Sequence, residues 1–438
     1  MIKYQKYKGI NILWAKEIPS HWHICRISNI FGIRREKNKP VRTKEVLSLS
    51  AMYGVSLYSD KKEKGGNKPK EDFSSYNLCY PGDILVNCMN IVSGAVGISK
   101  YFGAVSPVYY PLVNLDKEKY DTRFMEYIFR NYNFQRGLVG IGKGIQMSEA
   151  DDGRLFTVRM RISWENLKVQ MLIVPTIEEQ EYIANYLDWK IGEIDKLIEI
   201  EKKKLDELEE LISNKIDRYI SKIKNNSSQH IKLRYLYSFQ NGISTSKDYK
   251  TGKYPFLTYS DVYNNLIIPR KLSGKIDSTP EERKVYSIQK GDLFFTRTSE
   301  RLEDAGKVSL ADKSVSYSVF NGFTIRLRPN NRTVFLDKFI LYYLNSNLVR
   351  ESFIGTLNIV TRVSIKQELL KNIEIPFIPK DEQRKLINHI ELMFKNSTKI
   401  IELSKNKISY LFDLKQSLIS EVVTGQIDVR NVKIPKRK

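Results

Sequence analysis

Apolar residues recur at steps of three and four through Ile183, Leu187, Ile191, Ile194, Ile198, Leu205, Leu208, Ile212, Ile216 and Tyr219, with charged residues between them. That spacing predicts one amphipathic helix from Glu178 to about Ile223, free of proline and with Gly192 as its sole glycine. Unbroken, it would reach on the order of 70 Å at 1.5 Å per residue. Its apolar steps suit a coiled-coil seam, and Glu199 with Lys203 supports the exposed face.

The entrance to this helix is written twice. The run VPTIEEQEYIANYLDWK begins at Val174 and FIPKDEQRKLINHIELM begins at Phe377. Aligning Gln180 with Gln383 places Leu172 on Ile375, Leu187 on Ile390, Ile191 on Phe394 and Ile198 on Ile401. The same register continues through Leu205 on Ile408, Leu208 on Leu411, Leu211 on Leu414 and Ile216 on Ile419. Upstream, YPGDILVNC (Tyr80–Cys88) matches QKGDLFFTR (Gln289–Arg297), and RISNIF (Arg26–Phe31) resembles KLRYLY (Lys232–Tyr237). One unit has been duplicated, with small changes of loop length inside it. Two matched long helices in one chain predict an antiparallel pair, each burying the other's seam.

The segments ahead of each helix have a different pattern. GDILVN, GDLFFTR and GFTIRLRP read as strands bounded by turns, whereas TRFMEYIFRNYNFQRGL and LDKFILYYLNSNLVRESF read as helices. The expected class is α+β: two mixed α/β recognition domains, each followed by a long helix, in a pseudo-two-fold repeat. The expected boundaries are 1–172 for the amino-terminal segment and first domain, 173–225 for the central helical spacer and 226–375 for the second domain. A distal helical spacer then covers 376–426, and a basic tail 427–438.

Composition sharpens this picture. The 438 residues are 41% apolar and carry a net charge of +22. Residues 1–175 hold 27 Lys and Arg against 16 Asp and Glu, residues 176–224 hold 9 against 13, residues 225–377 hold 23 against 14, and residues 378–438 hold 13 against 7. Two basic globular blocks flank an acidic helical one, which points to two surfaces that each meet a polyanion. Cys25, Cys79 and Cys88 are too scattered for a disulfide framework or a zinc site, and the four histidines have no metal-ligand spacing. No membrane span or signal segment is expected, and the natural setting is a reducing cytoplasm.

Catalytic motifs are not found. Gly137–Gly144 meets the G-x-x-x-x-G-K pattern, but puts Gly144 where a magnesium-binding hydroxyl belongs and follows a helix-like segment instead of a strand. A basic glycine loop near nucleic acid is the better expectation for it. The adenine-methylation tetrad is absent because no Pro-Pro pair occurs, and H-E-x-x-H, G-x-S-x-G and C-x-x-C are absent too.

With WAKEIPSHW (Trp14–Trp22), the GDILVN and GDLFFTR strands and the twin Glu-Gln entrances, the chain resembles the DNA-specificity subunit of type I restriction–modification systems. The resemblance implies that each globule reads one half of a split DNA target and that the helices form a spacer. It implies that the spacer docks modification subunits carrying S-adenosylmethionine, which methylate adenine at N6. Restriction subunits would join them to cleave unmethylated DNA with ATP and magnesium. This chain itself would be non-catalytic and hold no cofactor. Lys16 stands where the family pattern has a glycine, and the second entrance places its proline, Pro379, one position later than Pro175.

Two readers on one face of B-DNA sit about 34 Å apart, or a multiple of it, and a stiff helix pair can hold that spacing. Candidate DNA contacts in the first domain are Lys61, Lys62, Lys64, Lys68 and Lys70, then Asn87, Asn90 and Ser93 after the GDILV strand, and Lys143 and Gln146 in the glycine loop. In the second they are Arg297, Thr298, Ser299 and Arg301 after the matching strand, with Asn358, Thr361 and Arg362 ahead of the distal helix. Basic side chains supply phosphate contacts; Arg, Asn, Gln and Ser read base edges. Candidate docking residues are Glu178, Glu179 and Gln180 with Asp381, Glu382 and Gln383, although acids there also complement a helix dipole. The rival reading is a paired-helix scaffold with two protein-binding domains and no DNA target. It leaves the charge pattern unexplained.

Overall fold

The computed structural model describes residues 2–51, 54–60, 69, 72–144, 147–149, 155–157, 160–244, 251–299, 305–330, 334–354 and 363–435. The chain divides into two compact units, one of Met1–Glu201 with Lys405–Lys438 and one of Lys202–Ser404. The two long helices run Ile177–Asn226 and Lys380–Val423, and each contributes part of its length to each unit.

The first unit is built on a four-stranded antiparallel sheet in the order Phe31–Ile33, Tyr109–Asn114, Ile84–Asn87, Val96–Ile98. The second unit repeats it as Tyr237–Asn241, Thr324–Pro329, Leu293–Thr296, Val308–Leu310. In both, a short two-stranded ladder ties the start of the domain to the strand that leads into the long helix. These ladders are His23–Arg26 on Met171–Val174, and His230–Lys232 on Glu374–Pro376. The duplication read from the sequence is a duplication of topology. Beside the sheet, the first unit carries ladders of Leu47–Ser50 on Gly54–Leu57 and of Asn77–Cys79 on Gly103–Val105, and the second a small sheet of Tyr254–Leu257, Gly274–Ile276 and Val319–Phe320. A hairpin of Tyr7–Ile12 and Ala15–Pro19 precedes the repeat in the first unit.

The two helical runs predicted ahead of the long helices are each broken once. Thr122–Arg130 is followed by Tyr132–Val139, and Asp337–Asn345 by Asn347–Ile354. The break has the same cause in both. Asn131 takes extended φ and ψ and its side chain accepts the N–H of Phe134, so it ends one helix and caps the next. Ser346 does the same, its hydroxyl accepting the N–H of Val349. Periodicity continues across a one-residue break, which is why it was invisible in the pattern.

Helix pairing is antiparallel within each unit. In the first, Ile183, Leu187, Ile191, Ile194 and Ile198 share a core with Ile419, Val422 and Val423. Lys415 Nζ reaches Asp195 at 2.7 Å and Lys407 Nζ reaches Glu201 at 2.7 Å, one number rising as the other falls. In the second, Ile220 packs with Leu386, Ile387 and Ile390, and the Tyr219 and His389 rings lie 4.5 Å apart. The seam is less apolar than its spacing predicts. Leu211 and Leu414 are half exposed, Tyr219 is at the surface, and Glu201, Ser397 and Ser404 are buried.

Candidate nucleic-acid interface

The central strand of each sheet begins with a duplicated turn. Gly82 and Gly291 hold φ of +89° and +88°, left-handed backbone that favours glycine. The next residue, Asp83 or Asp292, accepts the backbone N–H three positions back, from Tyr80 at 2.9 Å or Gln289 at 2.7 Å. The same carboxylate is gripped on both oxygens by an arginine, Arg34 at 2.8 and 2.9 Å or Arg328 at 2.8 and 2.6 Å. The hydrogen bond to Asp83 raises the Arg34 guanidinium above its ordinary value against the opposing effect of burial. This twofold Gly-Asp turn is structural: it fixes where the central strand starts, and hence where its far end presents Asn87 or Arg297.

At that far end in the first unit, Asn87 is buried and its side-chain Oδ1 accepts the N–H of Met89 at 2.9 Å. Asn90, exposed, stands in the turn that follows, its backbone carbonyl accepting the N–H groups of Ser93 and Ala95. Ser93 is half-buried. Lys143 is exposed on a two-stranded ribbon, directly across from Arg161. The N–H of Ile162 donates to the carbonyl of Cys88 at 2.9 Å, which seats the ribbon against the end of the central strand. Burial pushes the Cys88 thiol up, while Tyr110 and the Arg161 cation pull the other way. Arg161, across from Lys143, is an exposed cation that is not among the expected contacts. Its signal was the alternation of Met160, Arg161 and Ile162 just ahead of the helix cap Ser163. The glycine loop follows the helix ending at Val139 and leads into this ribbon, so it has no strand before it and no phosphate-loop context.

In the second unit Arg297 is half-buried, with its backbone N–H on Phe323 O at 2.8 Å and its carbonyl accepting from Ile365. Thr298 and Ser299 form a ribbon with Ser364 and Val363. Lys61, Lys62, Lys64, Lys68, Lys70, Gln146, Arg301, Asn358, Thr361 and Arg362 lie outside the described residues.

The helix entrances share one buried anchor. Gln180 and Gln383 are both fully buried. Gln180 Oε1 accepts the N–H of Asp121 at 2.9 Å, and its Nε2 donates to Lys119 O and Pro175 O at 3.0 and 2.9 Å. Gln383 Oε1 accepts the N–H of Leu336 at 2.8 Å, and its Nε2 donates to Ile378 O at 3.0 Å. Asp121 and Leu336 are both the cap residues of the helix that follows them, so each glutamine ties that helix to the long one. The shifted proline leaves this geometry intact, because Ile378 offers the carbonyl that Pro175 offers in the first copy.

Glu179 is buried too, with Trp22 Nε1 donating to it at 3.1 Å, His21 Nε2 at 2.9 Å and Arg430 at 3.4 Å. Glu178, Asp381 and Glu382 are exposed. The Glu178 carboxyl is held below its usual range by its own backbone N–H and the Thr176 hydroxyl, as expected at a helix N-terminus. Asp381 pairs with Arg384 at 2.8 Å.

Comparison with known proteins agrees with this geometry. Residues 236–427 match the family model described as type I restriction modification DNA specificity domain. The EcoKI specificity subunit of Escherichia coli K12 is 21% identical over 271 residues, 58% of this chain and 57% of that protein. The StySPI specificity subunit of Salmonella potsdam is 20% identical over 270 residues, with the same shares. The aligned region thus spans 57% of the length of these relatives. A chain from a structure titled as the basis of complex assembly and conformational transition of the type I R-M system shares 11% identity at a TM-score of 0.63. It covers 94% of this chain and 100% of its own length, a likeness of fold. By the domain match in its second half and the relatives it aligns with, the chain is similar to the specificity subunits of type I restriction–modification systems, and its fold is like that of the R-M system chain over nearly its whole length.

Proposed function

We propose that this chain is the sequence-specific DNA-binding subunit of a type I restriction–modification complex. One recognition domain reads each half of a bipartite target, and the helical spacer docks two modification subunits and, through them, restriction subunits. The chain performs no chemistry of its own; S-adenosylmethionine, ATP and magnesium belong to its partners, and the complex works in the cytoplasm. In this reading recognition belongs to 1–172 and 226–375, spacing to 173–225 and 376–426, and 427–438 is a basic tail. The carrying observation is that one strand-and-turn framework occurs twice, yet the residues at the far ends of its central strands differ. A constant frame with unlike tips is what two unlike half-sites need.

Within that reading, Asn90, Ser93, Lys143 and Arg161 face the first half-site, and Arg297, Thr298 and Ser299 the second. Asn87 supports its turn from inside. Docking falls to Glu178, Asp381 and Glu382, because Glu179, Gln180 and Gln383 are occupied within their own units. The deciding experiment maps N6-methyladenine across the host genome before and after deletion of this gene. A split motif that vanishes on deletion and returns on complementation is the expected outcome; methylation that survives deletion sinks the proposal. The scaffold alternative is separated by titrating salt against DNA binding, which should weaken steeply if several phosphates are neutralised.

A further inference from the structure

We infer that Phe323 makes an apolar contact to bases in the half-site read by the second unit, beside Arg297. The inference rests on the DNA-reading function proposed above and adds a contact of a different chemistry. Phe323 is 58% exposed, although the residues around it, Phe320, Asn321 and Thr324, are buried. Its backbone is not free to move. Asn321 Oδ1 accepts the N–H of Phe323 at 2.8 Å, while Asn321 Nδ2 is anchored on Leu257 O at 2.9 Å. The Gly322 N–H donates to Ile243 O at 2.8 Å, and a Cβ on Gly322 would come within 2.8 Å of Ser244 Oγ. The ring is therefore presented to solvent by a turn locked on both sides.

Its neighbour gives the ring a purpose. Phe323 O accepts the N–H of Arg297 at 2.8 Å, and the Arg297 side chain leans toward Gly322 O at 3.5 Å. A cation and an aromatic face held side by side match a duplex, where a guanidinium takes phosphate or guanine and an apolar ring takes a thymine methyl or a base step. The first unit supplies an internal comparison. There the N–H of Cys88 donates to Val108 O at 3.0 Å, the same bond at the same place in the repeat, and Val108 is 39% exposed. Both copies thus turn an apolar side chain outward at this position, valine in one and phenylalanine in the other. An outward position on a shared frame that differs between copies is where two readers acquire different preferences.

The test is affinity selection from a random-sequence duplex library with the full chain, run in parallel for the unaltered protein, Phe323→Ala and Phe323→Trp. The unaltered protein should return a split motif. Phe323→Ala should lose preference at one or two base pairs of a single half-site, leave the other half-site intact, and bind the originally selected duplex about tenfold or more weakly. Phe323→Trp, which keeps an aromatic face, should retain the preference. If Phe323→Ala returns the full motif with affinity within about twofold of the parent, the inference is overturned and the DNA-reading function stands. An unenriched library from the unaltered protein would instead remove the DNA-reading function, and this inference with it.

Discussion

Gln180 and Gln383 do the same work in the two copies, and at full burial their amides cannot be replaced by water. Gln180→Ala strands an N–H and two carbonyls and should cost about 2–4 kcal/mol, with Gln383→Ala somewhat less; urea unfolding of each variant measures this. The glycines of the Gly-Asp turns give a second matched pair. Gly82→Ala places its Cβ in open space and should cost about 1 kcal/mol for the left-handed backbone alone. Gly291→Ala should cost more, because its Cβ would lie 3.2 Å from Pro329 Cγ. Asp428 provides a pH dependence. Its carboxyl is held below the ordinary 3.8, chiefly by the side-chain hydrogen bond from Arg430, and its N–H donates to Ile2 O. A carboxyl depressed by folding contributes its stabilisation fully above the unfolded value and loses it as pH falls through the folded one. Protection of the amides across residues 428–432, taken relative to their intrinsic exchange rates, should therefore be full at neutral pH and fall below 3.8, and Asp428→Asn should abolish that acid dependence. From sequence alone the Glu-Gln pair stands out, but not the division of labour inside it. Burial of Glu179 depends on Trp22 and Arg430, both more than a hundred and fifty residues away in the chain.

The long helices show how far a periodic pattern can be trusted. Their existence, their entrances and their antiparallel pairing were legible because apolar steps of three and four repeat over a great length. Side-chain exposure along the seam was not, since Glu201 is buried where an apolar residue would suit the spacing. Lys407 reaches it across the pair at 2.7 Å while staying half exposed itself. This asymmetry makes a prediction. Lys407→Ala withdraws that cation from a buried carboxylate and should cost about 1–3 kcal/mol in thermal or urea unfolding. Glu201→Gln removes the charge instead, frees Lys407 into water and should cost about 1 kcal/mol or less. Equal losses from the two variants would mean that the buried charge is satisfied without Lys407. The breaks at Asn131 and Ser346 belong to the same lesson at shorter range. Side-chain caps replace a single backbone bond and leave the apolar spacing undisturbed, so they escape a periodicity reading.

At the scale of the whole molecule, each long helix is divided between the compact units, Ile177–Glu201 and Lys202–Asn226 in the first helix and Lys380–Ser404 and Lys405–Val423 in the second. No other described segment passes from one unit to the other. If the units read the two halves of a DNA target, the helices alone set the interval between the halves. A change of helix length should then act on the gap and on nothing else. Inserting seven residues into both helices, after Lys203 and before Lys405, keeps the seam in phase because seven residues return close to the same face. The insertion adds about 10 Å at 1.5 Å per residue, or about three base pairs at 3.4 Å each. Methylation mapping of cells carrying such a variant should find both half-sites unchanged and the gap lengthened by about that amount, with inserts of other lengths losing activity as the seam slips out of phase. A variant that methylates the original motif with the original gap would deny the helices their role as the measure between half-sites, even with every hydrogen bond of the two domains in place.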